Sequence, residues 1–221
     1  MININKKIEF KIAADGSSAS GKTTAGKLIA KKLKMKFISI GTLYRFCALK
    51  TLENKNKYNE KFINKIANSI TLKKLQNKKL YSPEVAKLSS IIAKKPYVRK
   101  ALKGFQINFI KKSKLVVVEG RDIGSKIMPN ADLKLFFTCS TKEKAKRRLK
   151  EFKNLNTEIT LKKVEKALIQ RDKEDTKRKI SPLIITKNAV LVDTTKLTIK
   201  QMEAKLINLV KNSIKNKYGN L

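Results

Sequence analysis

The chain has 221 residues and a formal charge of +36, from 53 Lys and Arg against 17 Asp and Glu. It has no histidine, and its two cysteines, Cys47 and Cys139, lie far apart without metal spacing, which excludes zinc centres and histidine-based triads. No stretch reads as a signal peptide or approaches the ~20 apolar residues of a membrane span, so a soluble cytoplasmic protein without membrane contact is expected. Charge of this size often marks a polyanion binder. Here the lysines follow every predicted helix, with no basic tail or arm, and read as a compositional background.

In chain order, "IEFKIAA" is a short apolar strand, followed by a Gly/Ser loop and a helix through "KTTAGKLIAKKLK". "GTLYRFCALKTLEN" is helical. The stretch from about 53 to 82 is polar, Lys/Asn-rich and the least patterned part of the chain. Ser-Pro opens a helix over "SPEVAKLSSIIAKK", and Pro96 precedes another over "YVRKALKGFQINFIKK". "KLVVVEG" reads as a strand buried on both faces, and "ADLKLFFTC" and "NAVLVDT" as two more strands. Helices over "TKEKAKRRLKEFK", "LKKVEKALIQRDKED" and "TIKQMEAKLINLVKNSIK" complete the pattern. Strands alternating with helices predict an α/β fold of three layers around a parallel sheet.

The first loop, "GSSASGKTT", fits G-x-x-x-x-G-K-[ST] and sits between a strand and a helix, as that motif requires. Small residues let the backbone N–H groups of Gly16, Ser17, Ser18, Ala19, Ser20 and Gly21 turn toward a phosphate, helped by the dipole of the following helix. Lys22 would reach the β/γ-phosphates, and Thr23, next to Thr24, would offer a hydroxyl to Mg²⁺. A nucleoside triphosphate is therefore the expected ligand.

Arginine is scarce: seven residues against 46 lysines. Guanidinium grips phosphates and base edges with a rigid fork, whereas ammonium is a hydrated point charge. Arginines kept in a lysine-biased chain should therefore mark places where lysine would fail. They are Arg45, Arg99, Arg121, Arg147, Arg148, Arg171 and Arg178. Arg171, Asp175 and Arg178 are spaced i, i+4 and i+7, so one helical turn can present them to one ligand.

These residues resemble the bacterial cytidylate kinases, a branch of the nucleoside monophosphate kinases, over about residues 8–210. The resemblance is carried by "DGSSASGKTT", "GTLYRFCAL", "SPEVAKLSSIIAKKPYVRKAL", "VVVEGRDIGSKIMPNADLKLFFT", "KAKRRL", "QRDKEDTKRKISPL" and "AVLVDTTKLTI". It implies a single P-loop kinase domain: a core over 8–52, 96–140 and 186–215, a monophosphate-binding lobe over about 53–95, and a helical lid over about 141–185. It implies transfer of the ATP γ-phosphate to CMP and dCMP, with Mg²⁺, by a monomer needing no specific nucleic acid. Gly16 to Thr24 would hold the ATP phosphates, and Arg45, Arg121 and Arg178 the monophosphate. Ser90, Arg99 and Asp122 would read the cytosine, Arg171 and Asp175 would contact the sugar, and Arg147 and Arg148 would close over the triphosphate. Lys22 and the arginines at 121, 147, 148 and 178 would stabilise the transferring group. Glu119, at the end of the buried strand, would orient metal-bound water.

Departures from the family pattern gather around the monophosphate. Ala19 replaces a usual glycine, a change that is tolerated if its φ stays negative. Ser39 and Ile40 stand where Asp and Ser or Thr are usual, so a phosphate contact would be lost or supplied by Ser39 or Thr42. Tyr81 stands in place of an arginine, and the segment from about 68 to 81 is short. Two other readings compete. One is a P-loop kinase for UMP, AMP or a non-nucleotide alcohol. The other is a basic nucleic-acid-binding ATPase, which lacks the interleaved aromatics of a stacking platform.

Overall fold

The computed structural model describes residues 8–154 and 159–219; residues 155–158 of the predicted lid lie outside them. The elements run β1 (Phe10–Gly16), α1 (Lys22–Lys32), β2 (Lys36–Ser39), α2 (Ile40–Glu53), α3 (Glu60–Asn68), α4 (Pro83–Ile92) and α5 (Pro96–Lys111). Then come β3 (Leu115–Gly120), β4 (Leu133–Thr138), α6 (Thr141–Lys153), α7 (Leu161–Lys177), β5 (Ala189–Asp193) and α8 (Ile199–Tyr218). The five strands lie in the order β2-β3-β1-β4-β5, and every pair is parallel. This is the α/β architecture expected from the alternation of strands and helices.

The unbroken apolar run of β3 follows from burial on both faces. Val116 and Val118 pack with α2 to α5, while Val117 points the other way, toward α1 and α8. Ile63, Ile66 and Ala67 of α3 and Val85 and Ile92 of α4 belong to the same cluster as Val116 and Val118. The 53–95 segment therefore packs directly on the core below the sheet and has no separate interior. Helices α6 and α7 form a third, small cluster of Ala145, Phe152, Val164 and Leu168, which Ala19 of the phosphate loop touches.

Two of these strands and helices were not predicted. β2 has only four residues, "KFIS", too few to display a period. α3 hides its apolar stripe behind Asn and Lys, although Asn59 caps it by accepting the Phe62 N–H at 2.9 Å. Because all strands are parallel, their C-terminal ends meet at one edge. The phosphate loop, the start of α2, the Arg121–Asp122 turn and the segment after β5 all leave from that edge. In open α/β sheets this edge is where ligands bind, next to the point at which strand order reverses.

Candidate functional site

Gly16 ends β1 with φ +155, where a Cβ would lie 2.4 Å from the Phe137 carbonyl, so only glycine fits. Gly21, at φ +83, is the N-cap of α1 and makes no side-chain cap, leaving the first N–H groups of the helix available to an anion. Ala19 does not meet that condition: its φ is +57, in the left-handed region. That geometry costs an alanine about 1–2 kcal/mol. The loop imposes it, and the methyl gains contact with the lid cluster.

One cavity of about 510 Å³ opens beside this loop. All seven arginines line it, with Lys22, Lys27 and Lys78, against four carboxylates, Glu119, Asp122, Glu151 and Asp175. Ser18, Ala19, Gly21, Thr23, Thr24 and Ser90 also line it, whereas Gly16, Ser17 and Ser20 lie behind its wall. A wall this rich in cations suits a ligand carrying several negative charges.

Lys22 is buried, donates to the Ser17 carbonyl at 2.7 Å and lies 3.7 Å from the Glu119 carboxylate. Burial, aided by the nearby Arg121, lowers its pKa to about 7. Thr23 Oγ1 donates to Glu119 Oε2 at 3.0 Å. Among the described residues no three Cys, Asp or Glu side chains cluster as a metal site. The Thr23 and Glu119 oxygens beside the phosphate loop are still a donor pair that fits Mg²⁺, which takes one or two protein oxygens and fills its shell with phosphate and water.

Opposite the loop, Asp175 bridges two arginines. Arg121 Nε donates to its Oδ2 at 2.8 Å and Arg178 Nη1 to its Oδ1 at 3.3 Å. Burial weakens the charge on both guanidiniums. At Arg121 the Asp175 carboxylate outweighs that effect and the pKa is raised, while at Arg178 it does not and the pKa is lowered. Asp122 pairs with Arg99, and Arg178 Nη2 lies 4.0 Å from its Oδ1. Arg99 also stands over the Tyr44 ring at 5.6 Å. Arg45 donates to the Leu80 carbonyl at 2.9 Å and stacks over Tyr81 at 5.5 Å. Burial and the cations of Arg148 and Arg171 lower the Arg45 pKa to about 9.

Arg171 differs from the others. Its Nε is buried and has no hydrogen-bond partner, as is also true of Arg178 Nη2. Burial, together with Arg121, lowers the Arg171 pKa to about 10. Native proteins pair nearly all such atoms, and a phosphate or sugar oxygen is an acceptor that would suit these two.

The two arginines of α6 diverge. Arg147 donates to the Thr194 hydroxyl at 2.9 Å and the Thr194 carbonyl at 2.7 Å, beside Gly21. Arg148 pairs with Glu151 at 2.7 Å and stacks on Phe152.

The chain belongs to the cytidylate kinase family. Its family profile, described as cytidylate kinase, matches residues 12–212. A cytidylate kinase from Alkaliphilus oremlandii is 37% identical, covering 92% of this chain and 99% of that protein. One from Thermotoga maritima is 35% identical over 91% and 97%. A crystal structure of an uncharacterized protein from Eubacterium ventriosum, 12% identical, overlays with a TM-score of 0.52 over 92% of this chain and 99% of that one, and shares the fold.

Some contributors were invisible in the sequence. Tyr44 adjoins Arg45 in a motif read only for its arginine. Thr194 is buried and ties Arg147 to the Ser20 carbonyl, which its hydroxyl meets at 3.0 Å. Asp172 accepts the Ser18 N–H at 3.1 Å and pairs with the buried Lys144 at 2.5 Å, docking the lid on the phosphate loop. No local signal marks these last two, because their partners are distant in sequence. Asp172→Ala leaves the Lys144 ammonium buried and unpaired, and should destabilise the protein by about 3 kcal/mol in urea unfolding. Combining it with Lys144→Met should recover part of that loss; no recovery would mean the pair does not hold the lid.

Proposed function

We propose that this cleft transfers the γ-phosphate of ATP to CMP and dCMP, giving CDP or dCDP and ADP. The observation that carries the reading is the convergence of all seven arginines on one cavity beside the phosphate loop. On this reading the loop from Gly16 to Thr24 holds the triphosphate. Arg45, Arg121 and Arg178 grip the monophosphate, aided by Ser39, since Thr42 already donates its proton to the Ser39 carbonyl at 2.6 Å. Ser90, Arg99 and Asp122 face the cytosine, and Arg171 and Asp175 the sugar.

The protein supplies position and charge, with no covalent step. A phosphate monoester has its second pKa at about 6, so the CMP oxygen attacks already ionised and no histidine is needed. That oxygen bonds to the γ-phosphorus as the bond to the bridging oxygen breaks, and ADP leaves. Lys22, released from the Ser17 carbonyl, and the arginines balance the charge spreading over the transferring group. Thr23 and Glu119 would hold Mg²⁺, which when bound neutralises phosphate oxygens.

A coupled ADP-release assay with CMP, dCMP, UMP, dUMP, AMP and GMP tests the assignment. CMP and dCMP should give the highest kcat/KM, and a different best acceptor overturns it. Arg178→Lys keeps the charge and loses the fork, so kcat/KM for CMP should fall by about 10–100-fold, the worth of a charge-assisted hydrogen bond. Near-normal kinetics would remove Arg178 from the clamp.

A further inference from the structure

Asp122 stands at the N-cap of a single π-helical turn, Ile123–Ile127, yet its side chain makes no cap hydrogen bond. An aspartate at that position ordinarily turns back to accept the first free N–H groups of its own turn. Here the carboxylate faces the cleft and pairs with Arg99. The N–H groups it leaves are nevertheless satisfied. Asp15, the penultimate residue of β1, accepts the Ile123 N–H at 2.8 Å through Oδ1 and the Gly124 N–H at 2.7 Å through Oδ2. Asp15 is buried and lies outside the cavity lining.

We infer that Asp15 is a positioning residue for the acceptor half of the site: it caps the Arg121–Asp122 turn from a distant strand and so frees Asp122 to face the nucleobase. The surroundings are shaped for this contact. Gly124 leaves room for it, since a Cβ there would lie 3.3 Å from Asp15 Oδ2. Asp15 is held in register on the central strand, opposite Gly120 of β3 and Phe136 of β4. It also directly precedes the phosphate loop, so one side chain ties the donor-binding loop to the turn that carries the acceptor clamp. Without the cap, two buried N–H groups need an acceptor, and Asp122 is the nearest one by sequence. Its retreat onto its own turn would take the carboxylate from Arg99 and from the base.

The inference rests on the kinase reading above and predicts a split that a general loss of stability would not produce. In Asp15→Asn, the KM for CMP should rise about tenfold, the worth of a charge-assisted hydrogen bond, while ATP affinity stays within twofold. The preference for CMP over UMP should fall with it. In an Asp122→Ala background the same change should leave that preference where Asp122→Ala alone puts it, because contacting residues on one route are not additive. Gly124→Ala, which crowds Asp15 and keeps every polar group, should give a weaker version of the same split. Equal loss toward both substrates, or an additive effect on base preference, overturns the role. If the wild-type chain phosphorylates neither CMP nor dCMP, the activity reading fails instead, and amide exchange still decides about Asp15. Exchange at Ile123 and Gly124 should quicken in Asp15→Asn at least tenfold more than in β1, and uniform exchange rates would sink the cap.

Discussion

Seven guanidiniums around one cavity repel one another, and the site exists only because a few carboxylates hold them there. Burial makes the problem harder, since it strips water from each charge and strengthens every like-charge contact. The lowered pKa values of Arg45 and Arg171 record that cost. Asp175 and Asp122 offset part of it, each shared between two arginines. The remaining positive charge is what an entering polyphosphate would neutralise. The ligand would complete the electrostatics of the cleft.

The same constraint bears on how α6 and α7 are held. Helices α6 and α7 bury only four apolar side chains between them, too small a cluster to fix their position alone. Their placement is helped by polar contacts with the rest of the chain: Lys144 with Ser17 and Asp172 with Ser18 of the phosphate loop, Arg147 with Thr194, Asp175 with Arg121 and Glu174 with Lys94 at 2.8 Å. Contacts of this kind exchange readily with water and nucleotide phosphate, where apolar ones would not.

Much of this was legible in the sequence, for reasons that differ between elements. The phosphate loop could be read because its chemistry depends on residues adjacent in the chain. β3 could be read because burial on both faces requires an uninterrupted apolar run. The arginines could be singled out because a lysine-rich background makes each of them an exception, and the cavity brings all seven together. The φ of Ala19 could not be read, because loop closure, and not the residue, dictates it. β2 and α3 were missed for brevity and for a polar surface. Asp15, Lys144, Asp172 and Thr194 stayed hidden because each acts through a partner far away in sequence, which local pattern does not encode.

The segregation of side-chain types leaves this protein with a built-in chemical contrast. Most of the described ammonium groups lie on the outside, with three at the hollow, while all seven guanidinium groups border that one hollow. A dicarbonyl reagent that couples to guanidinium and spares amines would mark the hollow and nothing else. The native chain, unmutated and unlabelled beforehand, thus reports its own occupancy through the modification that a bound molecule blocks.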